Sequence, residues 1–227
     1  MRTEAVAASH LHLDAARGRV YGPLDLSIRP GTVTVVTGRA GSGRTALLLT
    51  LAGRLRPAKD GTLTVLGHHL PREARAVQLA SSAIGIHGLD DLDAEVSVGA
   101  CIRERQAWLA RGWRIVRRPS QQVVADVCEP VFGDLPIPDR RAVVHELDEL
   151  SNLLLRIALA MLSDPRLIVI DDVDQLHDPH NRDVVWERLE TLAERGVTVI
   201  AAASSTDELT RPAWRRAPLH LALAAQS

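Results

Sequence analysis

One short glycine-rich stretch constrains this chain more than any other feature. An apolar run at 32–36 predicts a strand before it, and a leucine- and alanine-rich run at 46–55 predicts a helix after it. The stretch has the spacing G-x-x-x-x-G-[basic]-[Ser/Thr], with the residues Gly38, Arg39, Ala40, Gly41, Ser42, Gly43, Arg44 and Thr45. Its glycines permit a tight turn whose backbone amides, with the positive end of the helix dipole, favour an anion. The stretch therefore predicts a phosphate-binding loop, the alternative being a turn without a ligand.

Two side chains at the end of this loop have expected roles. Thr45 supplies the hydroxyl that such loops place on a nucleotide-bound Mg²⁺, and Arg44 stands where lysine usually reaches the outer phosphates. Arginine keeps the charge but is longer and forked, so binding is expected to survive the change better than catalysis. Because Lys59 is the only lysine in the sequence, an arginine at this position is weak evidence of lost function.

A second acidic motif follows an apolar run in the last third of the chain. Residues 167–170 read as a buried strand, and Asp171 and Asp172 come directly after it. Ligands of α/β proteins bind beyond the carboxyl ends of the strands, so Asp171 is the expected second Mg²⁺ ligand. Asp172 is the expected catalytic residue, which orients or deprotonates the attacking water. The alternative is a carboxylate pair that merely ends a strand and starts a turn.

The order of predicted elements indicates an α/β fold with a parallel sheet and helices on its faces. The sequence predicts several short strands between 11 and 36 and further strands at 62–66, 166–170, 197–202 and 219–223. Between them, charged helical segments at 98–109, 121–127 and 140–150 predict an inserted helical subdomain. We therefore expect a nucleotide-binding core at 1–88 and 156–227 and an inserted subdomain at 89–155.

Composition excludes several classes of protein. With 27 basic and 28 acidic residues, the chain carries no charge excess of the kind that binds nucleic acid, so no nucleic-acid partner is expected. Two cysteines form no disulfide framework, and the first residues do not read as a signal peptide. No apolar run reaches the roughly 20 residues that span a bilayer, and a cytoplasmic chain is expected.

With the glycine loop and the strand acid in this order, the chain resembles the ATPase domains of ATP-binding-cassette (ABC) transporters. The stretch at 171–178 is similar to the family's strand acid and the loop that ends in Asp178, and 94–98 resembles the start of its helical subdomain. The resemblance implies a P-loop NTPase fold with a RecA-like core, a mostly parallel sheet and an antiparallel N-terminal β part.

Several family positions differ in this sequence. The signature Leu-Ser-Gly-Gly-Gln is reduced to the stretch at 150–154, where Asn152 and Leu153 replace glycines; Asp172 replaces a glutamate. Residues 203–207 contain no switch histidine, and 80–82 fall where we expect the family's glutamine. Ser151 remains available as a helix N-cap, and Tyr21 falls too close to the next strand to be the aromatic residue that stacks on adenine.

The resemblance implies an ATP-binding subunit that uses Mg²⁺ and hydrolyses ATP slowly. Its implied partners are a second cassette ATPase domain and a separate membrane-spanning permease, which would hold it at the inner face of the membrane. The alternative is a non-hydrolysing, degenerate cassette that binds nucleotide as a regulatory module or completes a heterodimer. A small-molecule P-loop kinase fits less well, because the residues after Asp171 resemble the cassette loop.

Overall fold

A computed structural model describes residues 4–16, 18–110, 116–171 and 173–224. The chain divides into two compact units, one formed by Met1–Ile86 with Pro165–Ser227 and the other by His87–Asp164. The expected boundary at 155/156 falls inside the helix Glu149–Met161, which packs on the other helices of the second unit. For that reason the chain returns to the first unit at Pro165, nine residues later than the sequence suggested.

Strands and helices follow one another along the described residues. The strands are β1 (Val6–Ala15), β2 (Gly18–Ile28), β3 (Val33–Thr37), β4 (Thr62–Val65), β5 (His68–Leu70), β6 (Ser81–Ile84), β7 (Leu167–Ile170), β8 (Thr198–Ala203) and β9 (Leu219–Ala222). The helices are α1 (Arg44–Leu51), α2 (Ala74–Leu79), α3 (Val98–Leu109), α4 (Gln121–Phe132), α5 (Glu149–Met161) and α6 (Pro179–Glu194). None of these helices is long and apolar enough to cross a membrane.

The first unit contains two sheets, as the predicted fold requires. Its parallel sheet has the strand order β6-β7-β8-β3-β9, and its antiparallel sheet has the order β2-β1-β4-β5. Every residue of β3, β7 and β8 is buried, which explains their nearly continuous apolar runs. Thr37 pairs with Ala203, and Ile84 pairs with Ile170, so the carboxyl ends of four strands meet at one edge of the sheet.

The core of the first unit joins α1 to both sheets. Leu47, Leu48 and Leu51 are buried on α1 in the same apolar cluster as Tyr21 from β2 and Ile200 from β8. The Tyr21 hydroxyl donates to Thr50 Oγ1 at 2.8 Å, and the residue is fully buried. Burial raises the pKa of Tyr21 to about 12, because the phenolate would lose its hydration. Tyr21 is thus a core residue and offers no ring to a nucleotide base.

The second unit is built from α3, α4 and α5, which pack on one another. The helix predicted at 140–150 is wrong: residues 140–148 contain only a 3₁₀ turn at Val144–Glu146, and α5 begins at Glu149. Its backbone is used in pairing instead, since Val98 donates to the Ala142 carbonyl at 2.9 Å. A tertiary contact that no local pattern reveals has overridden the helical periodicity.

Candidate functional site

The glycine loop lies at the carboxyl edge of the parallel sheet, between β3 and α1. Gly43 is the N-cap of α1 and has a left-handed backbone with φ 86°. The first intrahelical bond runs from the Leu47 amide to the Gly43 carbonyl at 2.8 Å. The first amides of a helix have no acceptor within the helix, so this end of α1 presents N–H donors and a positive dipole to the loop.

Two glycines of the loop lie where a side chain would meet a neighbouring atom. A Cβ on Gly43 would lie 2.4 Å from the Val20 carbonyl oxygen in β2, and one on Gly38 would lie 2.3 Å from Ser42 Oγ. Gly41 also has a positive φ of 80°, but a Cβ there would meet nothing within 4 Å. The loop therefore folds against β2 at Gly43 and over its own Ser42 side chain at Gly38, which fixes its path.

Two polar atoms of the loop are buried without a hydrogen-bond partner. Among the residues that the structure describes, Ser42 Oγ and Arg44 Nη1 belong to the few buried side-chain atoms in this condition. A buried donor without an acceptor is unfavourable by about 1–3 kcal/mol. A phosphate oxygen would satisfy such donors, and this chemistry, together with the amides of α1, fits the loop to an anionic nucleotide tail.

The predicted Mg²⁺ ligands are brought together. Thr45 lies in the first turn of α1, and its hydroxyl donates to Oδ2 of Asp171, 126 residues away in sequence. Asp171 follows β7 and is buried, while Thr45 is exposed at the loop. The Asp171 amide donates to the Ile84 carbonyl at 2.9 Å, which extends the pairing with β6 and fixes the position of the acid. A hydroxyl and a carboxylate are oxygen ligands of the type that Mg²⁺ takes.

The sequence did not single out Gly85, which contributes to this arrangement. A Cβ on Gly85 would lie 2.3 Å from the Asp171 carbonyl oxygen, and its φ is 76°. A glycine directly after a buried strand is the signal that points to such a close approach. The position expected for the family's glutamine also moves. Residue 80 caps the end of α2, and 81–82 begin β6, so this strand ends directly before Gly85, and no glutamine occurs from 85 to 88.

The predicted catalytic residue, Asp172, lies outside the described residues. After it, Asp174 accepts a hydrogen bond from the Ser204 amide just beyond β8. Asp178 then caps α6, because its carboxylate accepts from the His180 amide at 2.8 Å. Carboxylates at 174 and 178 thus have structural roles at the edge where Asp171 is presented.

The reduced signature stretch lies at the start of α5 in the second unit. Asp148, and not Ser151 as expected, is the N-cap: its Oδ1 accepts from the Ser151 amide at 2.6 Å. Leu153 is 9% exposed, so its side chain is buried and does not project into solvent. Arg156, one turn further, forms a two-pronged ion pair with Asp90 at 2.7 and 2.8 Å. Asn152 and Leu153, which replace the signature glycines, therefore lie in a helix that Asp148 caps and whose Leu153 side chain is buried.

The buried strands, the glycine loop and the hydroxyl–carboxylate pair define a P-loop nucleotide-binding protein. A family profile for ABC transporters matches residues 21–175. The chain belongs to this family, which confirms the resemblance seen in the sequence.

Known relatives agree with this assignment. The Nod factor export ATP-binding protein I of Mesorhizobium japonicum is 34% identical over 195 residues, which cover 85% of this chain and 54% of that protein. The chain thus spans about half the length of the curated relatives it matches. A putative ABC transporter ATP-binding protein of Pyrococcus furiosus has the same fold, with a TM-score of 0.72, 16% identity and 96% coverage of both chains. A dimeric bacterial ABC transporter cassette has a TM-score of 0.74 and 14% identity, over 97% of this chain and 94% of the other.

Proposed function

We propose that this chain is the ATP-binding subunit of an ABC transporter-like complex, and that it binds Mg-ATP and hydrolyses it slowly. The observation that carries the proposal is the contact between the Thr45 hydroxyl and the Asp171 carboxylate, beside a loop with two unsatisfied buried donors. A nucleotide with its Mg²⁺ supplies the anionic oxygens and the cation for which these groups are suited.

Each part of the loop has a role in this proposal. The backbone amides from 38 to 45 would hold the phosphates, and Arg44 would neutralise their charge. Thr45 and Asp171 would hold Mg²⁺, which offsets charge that develops on the transferred group. Asp172 would orient the attacking water.

Slow hydrolysis follows from two substitutions relative to the family. Asp172 is one methylene shorter than the glutamate it replaces, which withdraws the carboxylate by roughly 1 Å and weakens the positioning of water, at a loss on the order of 100-fold. Arg44 carries a planar, forked cation where the family has the compact ammonium of lysine. Both changes affect the transition state more than the bound ground state.

The alternative is a cassette that binds nucleotide without hydrolysing it and completes a heterodimer or regulates a partner. The start of α5 favours it, because Leu153 is buried where the family's signature has a glycine. A leucine side chain adds bulk at this position and offers no hydrogen-bond donor to a phosphate held by a facing domain.

The partners are a second cassette domain, as a homodimer or heterodimer, and a separate membrane-spanning permease that holds the chain at the inner face of the membrane. Support comes from the family and from the dimeric cassette of the same fold. The name of the Mesorhizobium relative refers to export, so we propose export as the direction.

Steady-state ATP hydrolysis by the wild type and two Asp172 variants tests the proposal. For Asp172→Asn we expect turnover to fall at least about tenfold, because the water loses its base, while Mg-ATP affinity is kept. For Asp172→Glu we expect turnover to rise. Turnover that is unchanged in Asp172→Asn would reject hydrolysis at this site, and absent turnover with intact binding would support the non-hydrolysing alternative.

A further inference from the structure

A cluster of imidazole and carboxylate groups lies on β1 and on the turn before β4, in the antiparallel sheet. His10 and His12 belong to β1, and Asp60 precedes β4 by two residues. We propose that these three side chains, with Asp14, form a binding site for a divalent transition metal of the zinc class.

The distances between the groups suit a metal ion. One ligand atom from each of His10, His12 and Asp60 lies within 4.8 Å of the others. Nε2 of His12 is 3.3 Å from Asp60 Oδ1, and Nε2 of His10 is 3.9 Å from Asp60 Oδ2. Ligands at about 2.0–2.1 Å from a tetrahedral zinc ion stand roughly 3.3 Å apart. A shift of the exposed His10 ring would shorten the longer of these two distances toward that value.

The orientation of the His12 ring is the strongest argument for a metal site. The residue is 3% exposed, and its Nδ1 lies 3.0 Å from the His10 carbonyl oxygen, an acceptor, so Nδ1 is the N–H donor. Nε2 then faces Asp60 and also Asp14 Oδ2 at 3.4 Å. In the neutral ring, the Nε2 lone pair then faces carboxylate oxygens, which repel it. A cation bound between them would attract both the lone pair and the carboxylates. Metal-bound histidines commonly donate their second N–H to a carbonyl in this way.

Neighbouring residues hold part of this cluster in position. Asp14 Oδ1 accepts from Arg19 Nε at 2.9 Å, which leaves Oδ2 directed at His12. His10 has a positive φ of 53° at an irregular point of β1, and its amide donates to Asp25 Oδ1 at 2.8 Å. These contacts hold the Asp14 carboxylate and the His10 backbone before any ion binds, which favours affinity.

The donor set selects the class of metal. Two imidazoles with one or two carboxylates suit Zn²⁺, Co²⁺ and Ni²⁺, whereas Mg²⁺ and Ca²⁺ prefer oxygen ligands throughout. Such an ion would join β1 to the turn before β4 and stabilise the first unit by mass action.

Zinc titration of the chelator-treated, nucleotide-free full chain tests this site. We expect calorimetry to show one Zn²⁺ per chain and the melting temperature to rise by about 5 °C or more at saturation. Co²⁺ should give the visible absorption of a tetrahedral nitrogen and oxygen site. Mg²⁺ in excess should leave the zinc affinity unchanged.

Variants of the exposed members make the result specific. His10→Ala and Asp60→Asn should weaken zinc binding at least about tenfold, and His12→Gln should remove it. His69→Gln is the matched control, since His69 is an exposed histidine of β5 in the same sheet, and it should bind zinc as the wild type does. Absence of zinc binding by the folded wild type, or affinity unaffected by both His10→Ala and Asp60→Asn, overturns the proposal.

Discussion

The Thr45 hydroxyl donates a hydrogen bond to the Asp171 carboxylate, joining the first turn of α1 to the end of β7. Neither element is near the other in sequence, and the parallel order of β3, β8 and β7 brings them to the same edge of the sheet. A local glycine pattern and a distant strand end thereby meet at the place where we propose that a phosphate-bound cation lies.

The contact predicts how Mg²⁺ dependence responds to a change at Thr45. Thr45→Ala removes the hydroxyl ligand, so Mg-ATP affinity should fall on the order of 10- to 100-fold, the equivalent of one hydrogen bond to a charged group. Thr45→Ser keeps the hydroxyl and should bind nearly as well. The measurement is nucleotide affinity with Mg²⁺ and with a chelator; equal loss in both conditions would contradict a role in holding the cation.

We expect substitutions of Arg44 to affect ATP binding and ATP turnover differently. Arg44→Met removes the charge and should weaken ATP binding by about tenfold or more, because a charge-assisted contact is lost. Arg44→Lys should bind within about threefold of the wild type and hydrolyse faster, since a compact ammonium fits inside the loop. Binding and kcat for both variants provide the check, and slower turnover in Arg44→Lys would show that arginine is the adapted residue here.

Because the phenol of Tyr21 is buried, we expect the protein to lose stability at alkaline pH. Its pKa is raised from 10.0 to about 12 by burial, so the folded state holds the proton more tightly than the unfolded state does. The resulting stability, about 2–3 kcal/mol, is fully present below pH 10 and is lost as the pH rises toward about 12.

Ultraviolet titration reads this shift directly, because Tyr21 is the only tyrosine in the chain. Tyrosinate absorbance should rise only near pH 12 or on unfolding. Burial also raises the pKa values of Cys101 and Cys128 to about 11, so these thiols contribute to the alkaline destabilisation. Tyr21→Phe should remove the part that the thiols do not explain. Ionisation of the folded protein with a midpoint near 10 would be incompatible with the buried phenol.

We expect Glu208 to contribute to stability through a buried network of charged groups. The residue is 2% exposed and accepts from Arg182 at 3.0 Å, Arg211 at 2.5 Å and Trp186 Nε1 at 2.6 Å. Glu208→Ala leaves buried donors and two cations without this acceptor, so the free energy of unfolding should fall by about 2–4 kcal/mol. Urea unfolding checks it, with the exposed Glu187→Gln as control; equal stability of both variants would mean the network contributes nothing.

The sequence predicted the parts of this molecule whose signals are local. The strand, glycines and helix at 33–51 occur together in the chain, so spacing alone predicted the loop between them. The place of Asp171 at a strand end was predicted because a buried apolar run ends there. The helix predicted at 140–150 was wrong, because the backbone of this segment pairs with the residues at the start of α3 and just before it.

Other features depend on distant residues and left no pattern to find. The sequence does not show which carboxylate faces His10 and His12, because only the fold brings Asp60 to them.

Calorimetric titration of the folded full chain with Mg-ATP tests the central claim most directly. We predict saturable binding at one site by the wild type, and its loss in Gly43→Ala, where the new Cβ would lie 2.4 Å from the Val20 carbonyl oxygen. Gly41→Ala, with a similar positive φ but nothing within 4 Å of the new Cβ, should retain binding. A wild type that is folded by circular dichroism and yet gives no heat with Mg-ATP would contradict the account.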